Sequence, residues 1–147
     1  MKIKTIKELL EINQYGSYIL TNDINCEGVV VDKIIGDFSG IIDGNNYTVR
    51  NLTINFKPFD DSQILSMITT CSGAIIKNLK FENLNIYINN SIYKPRFSIF
   101  CGEANNSHFQ NIYISVNINK DKIPFIYLDN NSILDNIHCI INGNKIL

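Results

Sequence analysis

The sequence predicts an all-β chain, a short single-domain right-handed parallel β-helix (β-solenoid) with a short helix capping its amino end. Three observations predict it. A pattern of apolar residue, any residue, Asn, Leu or Ile, any residue, apolar residue occurs at 49–54, 76–81, 109–114 and 134–139, the first copy reading Val49-Arg50-Asn51-Leu52-Thr53-Ile54. With the Asn as marker the copies lie about 27, 33 and 25 residues apart (78 minus 51, 111 minus 78, 136 minus 111), inside the range of periods that marks a repeat architecture. Each copy follows a short turn-forming stretch, at 45–47, 72–74, 105–107 and 130–132, where small polar side chains bond their own backbone and glycine or Asn tolerates left-handed dihedrals.

In chain order, residues 1–16 read as a helical cap and 17–147 as coils of one domain. Thr5-Ile6-Lys7-Glu8 has the spacing of a capping box, and Ile6, Leu9 and Leu10 form an apolar stripe that can cover the open end of a stack. Tyr18-Ile19-Leu20 begins the first strand. A second apolar strand per coil is expected at 38–42, 64–68, 97–101 and 125–128, and the alternation at 84–88 and 115–118 has the period of a half-buried strand. No single coil buries its own apolar side chains, so Val49, Leu52, Ile54 and their equivalents must line a continuous column. Two outward ladders follow from the same alignment, Arg50-Lys77-Gln110-Asp135 and Thr53-Lys80-Tyr113-His138. The marker Asn either points inward and bonds the turn backbone above and below or fits the bend; a structural ladder is favoured over a binding role, because buried amides need partners and a ladder supplies them. Residues 140–147 offer no second helix, which leaves an open end as a candidate homodimer contact.

Composition narrows the function classes. Ile and Asn together make up roughly a third of the chain, which suits β-branched walls joined by Asn-rich turns. The net charge of −1 and the lack of a basic stripe argue against nucleic acid. The first residues carry no secretory signal pattern, and no uncharged run is long enough to span a bilayer, so a cytoplasmic location is expected. Cys26, Cys71, Cys101 and Cys139 lack close pairing and are expected as free buried thiols. His108 and His138, with no acid clearly beside either, are expected as surface histidines at non-equivalent ladder positions. No cofactor or metal motif is present.

Residues 18–24, 38–49 and 51–54, among them Asp43-Gly44-Asn45 and Asn51-Leu52-Thr53-Ile54, resemble the GLUG-type repeat region of bacterial surface adhesins and immunoglobulin A metalloproteases. The resemblance covers roughly two thirds of the chain, with the family's Gly-Leu-hydrophobic-Gly segment represented by Ser66-Met67-Ile68-Thr69 and Ser98-Ile99-Phe100-Cys101. It implies a solenoid of stacked repeats. The chain lacks H-E-x-x-H, so the resemblance does not extend to protease activity.

A small solenoid without a nucleophile and base constellation is expected to be non-catalytic and to bind a protein. The most concrete form is a cytosolic immunity protein that neutralises a cognate bacterial toxin. A structural fragment of a surface adhesin or protease is the alternative, and a glycan-active β-helix enzyme using Asp60 or Asp61 is weaker, since Asp60 and Asp61 are adjacent and in a loop. The partner-binding candidates are Phe59, Asp60 and Asp61 in one loop and Tyr93 and Arg96 in another, because aromatic and Arg anchors dominate binding energetics and flanking acids steer basic partners.

Overall fold

The computed structural model describes residues 1–89, 91–120 and 122–147. The fold is all-β, with one short helix. In order, β1 (Lys2–Ile3), α1 (Ile6–Leu10), β2 (Ser17–Leu20), β3 (Ile24–Asn25), β4 (Val30–Val31), β5 (Ile35–Phe38), β6 (Ile41–Asp43), β7 (Thr48–Arg50) and β8 (Thr53–Phe56) form the first part. There follow β9 (Ile64–Leu65), β10 (Ile68–Ser72), β11 (Ile75–Ile88), β12 (Arg96–Phe97), β13 (Cys101–Asn105), β14 (His108–Ile118), β15 (Ile126–Asn130), β16 (Ile133–Ile141) and β17 (Asn144–Lys145). They make a large sheet running β1-β2-β6-β11-β14-β16-β17, a four-stranded sheet β15-β13-β10-β5, and the pair β9-β12.

Among the described residues every pairing but the terminal β16-β17 hairpin is parallel, and the register repeats. Ile41 pairs with Ile75, Ile75 with His108 and His108 with Ile133, steps of 34, 33 and 25 residues (75 less 41, 108 less 75, 133 less 108). On the second sheet Ile35, Ile68, Cys101 and Ile126 align in the same way. Successive tiers of chain therefore place like side chains over one another. The inward column Ile42, Ile76 and Phe109 is fully buried, and Val49, Leu52 and Ile54 are buried as expected. Phe100 lies at the centre, edge-on to Phe109 at 5.1 Å and stacked on Phe125 at 5.0 Å.

The register corrects the sequence alignment at its first copy. Asn51 does not lie over Asn78: Val49 pairs with Phe81, Arg50 with Glu82 and Thr53 with Asn85. The segment above 75–77 is instead Ile41–Asp43, and between there and the Thr48–Lys80 pair four residues, 44–47, face only Asn78 and Leu79, an insertion of two. Gly44 lies close against the next tier, and a Cβ there would run into the backbone of Asn78 and Leu79. Lys77-Gln110-Asp135 and Lys80-Tyr113-His138 do align, but their first members are Asp43 and Thr48 rather than Arg50 and Thr53. The apolar segment 38–42 likewise spans a corner: Phe38 ends β5 while Ile41 begins β6.

Two Asn ladders hold the corners. In one, Asn78 donates to Asp43 (3.2 Å), Asn111 to Asn78 (3.0 Å) and Asn136 to Asn111 (2.7 Å). In the other, Asn51 donates to Asn25 (3.0 Å), Asn83 to Asn51 (2.9 Å) and Asn117 to Asn83 (3.0 Å). Asn51, Asn78, Asn83, Asn111 and Asn136 all have positive φ. That conformation is one Asn tolerates better than other side chains, so the same residue both turns the chain and bonds the tiers. The marker's role is thus bend and ladder together, and the ladder partners are side chains.

The amino end is closed as the capping box predicts. The Glu8 N–H donates to the Thr5 hydroxyl (3.2 Å) while the Glu8 carboxylate accepts from the Thr5 N–H (3.1 Å). Leu9 is buried, and almost no void, ≈ 10 Å³, remains between it, Ile42, Ile76 and Phe100. One strand precedes this helix: β1 pairs with β2, so the strand at Tyr18 is the second.

Candidate functional site

Phe59, Asp60 and Asp61 lie in the connection between β8 and β9, and Tyr93 in the connection from β11 to β12, which begins at Arg96. The pairing of Ile64 with Arg96 and Leu65 with Phe97 stacks these two connections in neighbouring tiers. Sequence-distant candidates thus form one edge of the molecule.

Polar bonds fix the shape of this edge. The Gln63 side-chain carbonyl accepts from the N–H groups of Phe59 (2.7 Å) and Asp60 (3.1 Å). Asp60 accepts from the Ser62 N–H (2.8 Å) and hydroxyl (2.9 Å), and these bonds hold its carboxyl below the usual aspartate range. Asp61 accepts from the Lys94 N–H at 2.6 Å and so ties the first loop to the second. One tier on, the Asn119 amide bonds both the N–H (3.1 Å) and the carbonyl (3.2 Å) of Ile88. With main-chain and side-chain groups already matched, the loops present a preorganised surface.

What projects from it is apolar and cationic. Phe59 is 71% exposed, Ile92 87% and Tyr93 40%. Arg96 is exposed with its guanidinium 5.7 Å from the Tyr127 ring centre, and the Lys120 ammonium lies 4.5 Å from that of Phe97. Two hollows flank the Phe59 loop. One of ≈ 480 Å³ is walled by Phe56, Phe59, Lys33, Lys57 and Asp32; the other, ≈ 280 Å³, by Pro58, Tyr93, Phe97, Lys94 and Lys120. Among the described residues, ion pairs form only where Arg50 and Lys80 meet Asp23 and Glu82, so the loop cations have no carboxylate partner there.

Sequence reading missed Ile92, Lys120 and Tyr127. A signal existed for Lys120, because Ile86 pairs with Ile118 and the residues after β14 consequently underlie those after β11.

The remaining reactive groups are structural. All four cysteines are free and buried. Burial pushes the Cys139 thiol up to about 12 and raises Cys26, while a hydrogen bond with the Cys101 thiol, then burial, raises Cys71. His138 is exposed and lies 3.0 Å from the Asn136 side-chain oxygen. His108 departs from the surface expectation: its Nε2 is buried without a partner, in the outward column between Ile75 and Ile133. Among the described residues no cluster of three His, Cys, Asp or Glu side chains is placed to hold a metal ion, and no helix is long and apolar enough to cross a membrane. Searched against protein-family models, curated proteins and solved structures, the chain has no match.

Proposed function

We propose that the chain is a right-handed parallel β-solenoid that binds another protein through its loop edge, without catalysis, as a cytoplasmic immunity protein neutralising a cognate bacterial toxin. The repeating parallel register supports the solenoid, and the right-hand preference of parallel crossovers supports its hand. One observation carries the binding function. The bond from Lys94 to Asp61 joins two loops 33 residues apart into a single fixed surface that exposes Phe59 and Tyr93. Aromatic anchors on a rigid frame are the usual centre of a protein interface.

Co-expression with the product of the adjacent gene tests this reading. A complex that survives purification, restores growth against a toxic neighbour and is lost in the double variant Phe59→Ala/Tyr93→Ala is the expected result. Absence of any complex, or a complex indifferent to that variant, overturns the immunity function or the placement respectively.

The alternative, a repeat unit of a surface adhesin or protease, draws on the GLUG-type resemblance and on the directional Asn ladders, which suit a longer stack. The glycan-active reading gains nothing from Asp60 and Asp61, whose carboxylates already bond Ser62 and Lys94. A homodimer through the carboxyl end draws on the exposed Leu134, Ile146 and Leu147.

A further inference from the structure

We infer that the partner segment seated on the loop edge is acidic. This rests on the loop edge being the binding surface, as proposed above, and concerns its chemistry. From the sequence, Asp60 and Asp61 pointed to a basic partner, but both carboxylates, although exposed, are already engaged by loop donors, Asp60 by Ser62 and Asp61 by the Lys94 N–H. The cations do the opposite. Lys33, Lys57, Lys94 and Lys120 are all exposed at the two hollows, where Asp32 is the only acid among the described lining residues.

Each hollow repeats one chemistry, a lysine pair beside aromatic rings: Lys33 and Lys57 with Phe56 and Phe59, then Lys94 and Lys120 with Tyr93 and Phe97. The hollows belong to successive tiers, and parallel strands stack about 4.8 Å apart. An extended polypeptide, whose alternate side chains share one face at a spacing of roughly 7 Å, can therefore direct carboxylates from that face to both hollows. A protein segment fits better than nucleic acid. Lys120 is drawn onto its own Phe97 ring, aliphatic Ile92 stands at the rim, and the chain as a whole carries −1.

Fluorescence anisotropy with labelled peptides tests this. The probes are an octapeptide alternating Asp with Leu and Phe, its Asn and Lys counterparts, and an oligothymidylate of equal charge. The Asp peptide is expected to bind at least about tenfold tighter than the Asn peptide, to weaken as salt rises, and to lose that advantage in Lys94→Glu/Lys120→Glu, a change of exposed side chains. Equal binding of the Asp and Asn peptides, or preference for the Lys peptide, overturns the acidic partner. If that binding still disappears in Phe59→Ala/Tyr93→Ala, the loop-edge reading survives; if it does not, that reading falls too. Tighter binding of the oligothymidylate, or no binding by any probe, overturns the inference.

Discussion

The two ends of the stack face the same physical problem and meet it differently. At the amino end a whole element is spent: α1 lays Leu9 over the core, and β1 pairs with β2. At the carboxyl end no described strand pairs with the outer edge of β15, and β17 with the residues after it folds back onto Cys139, Ile140 and Ile141. There the column Phe38, Cys71 and Ala104, buried throughout, ends in the exposed Asp129, whose carboxylate takes the Ser132 N–H at 3.2 Å. In the tiers before, the matching N–H groups of Ala74 and Ser107 bond the hydroxyl of the next serine. One end is sealed by apolar cover, the other guarded by a charge pointing where a core residue would be, a known defence of sheet edges.

The largest effect should come from breaking the seal. Leu9→Ala is expected to lose about 2–5 kcal/mol in urea denaturation, as for other large core truncations. Leu134→Ala, in the same kind of inward column but 39% exposed, should lose about 1 kcal/mol. Equal losses would show that the ends are not different in kind.

Between the ends, Asn111→Ala removes two ladder bonds and puts alanine at φ 52. A loss of about 2 kcal/mol is expected, with Asn111→Gly at about half of that because glycine keeps the left-handed turn. Identical values for the two variants would assign the whole effect to the ladder. A smaller change follows from uncapping α1, where Thr5→Ala should lose about 1 kcal/mol. The backbone N–H groups of Lys4 and Thr5 and the Thr5 hydroxyl hold the Glu8 carboxyl below its ordinary value of 4.5. Its contribution is complete above that value and is lost as the pH falls through the lower folded one. The melting temperature of Glu8→Gln should accordingly fall less than that of the wild type on acidification. The smallest change in stability, and the most direct probe of the guarded end, is Asp129→Leu. It continues the apolar column to the surface, and sedimentation should show concentration-dependent self-association beyond that of the wild type.

Much of the fold was legible because its corners use a residue type with a geometric job. An Asn that must adopt positive φ between two inward apolar residues writes the same short pattern wherever it occurs, and 78, 111 and 136 were aligned by it correctly. The pattern failed at Asn51 for the same reason. Each tier has two corners with this need, so Phe81-Glu82-Asn83-Leu84-Asn85-Ile86, the true counterpart of residues 49–54, carries the pattern as well. Local sequence specifies a corner without saying which one. At the loop edge, Phe59 and Tyr93 were visible as aromatic residues in polar connections. The roles of Asp60 and Asp61 were not, since the partner of Asp61 is a backbone N–H in another tier and no side-chain pattern announces a main-chain donor.

The Asn ladders also set how this protein ages. Each amide donates towards the amino end and accepts from the tier beyond, so hydrolysis of Asn78 or Asn111 to aspartate would delete a donor and set two acceptor oxygens against each other. The foot of a ladder donates to no earlier rung and so tolerates that chemistry; in one ladder it is already an acid, Asp43, and in the other it is Asn25. Deamidation at an inner rung would break the bond to the earlier tier, while the new aspartate would still accept from the tier beyond, as Asp43 does from Asn78.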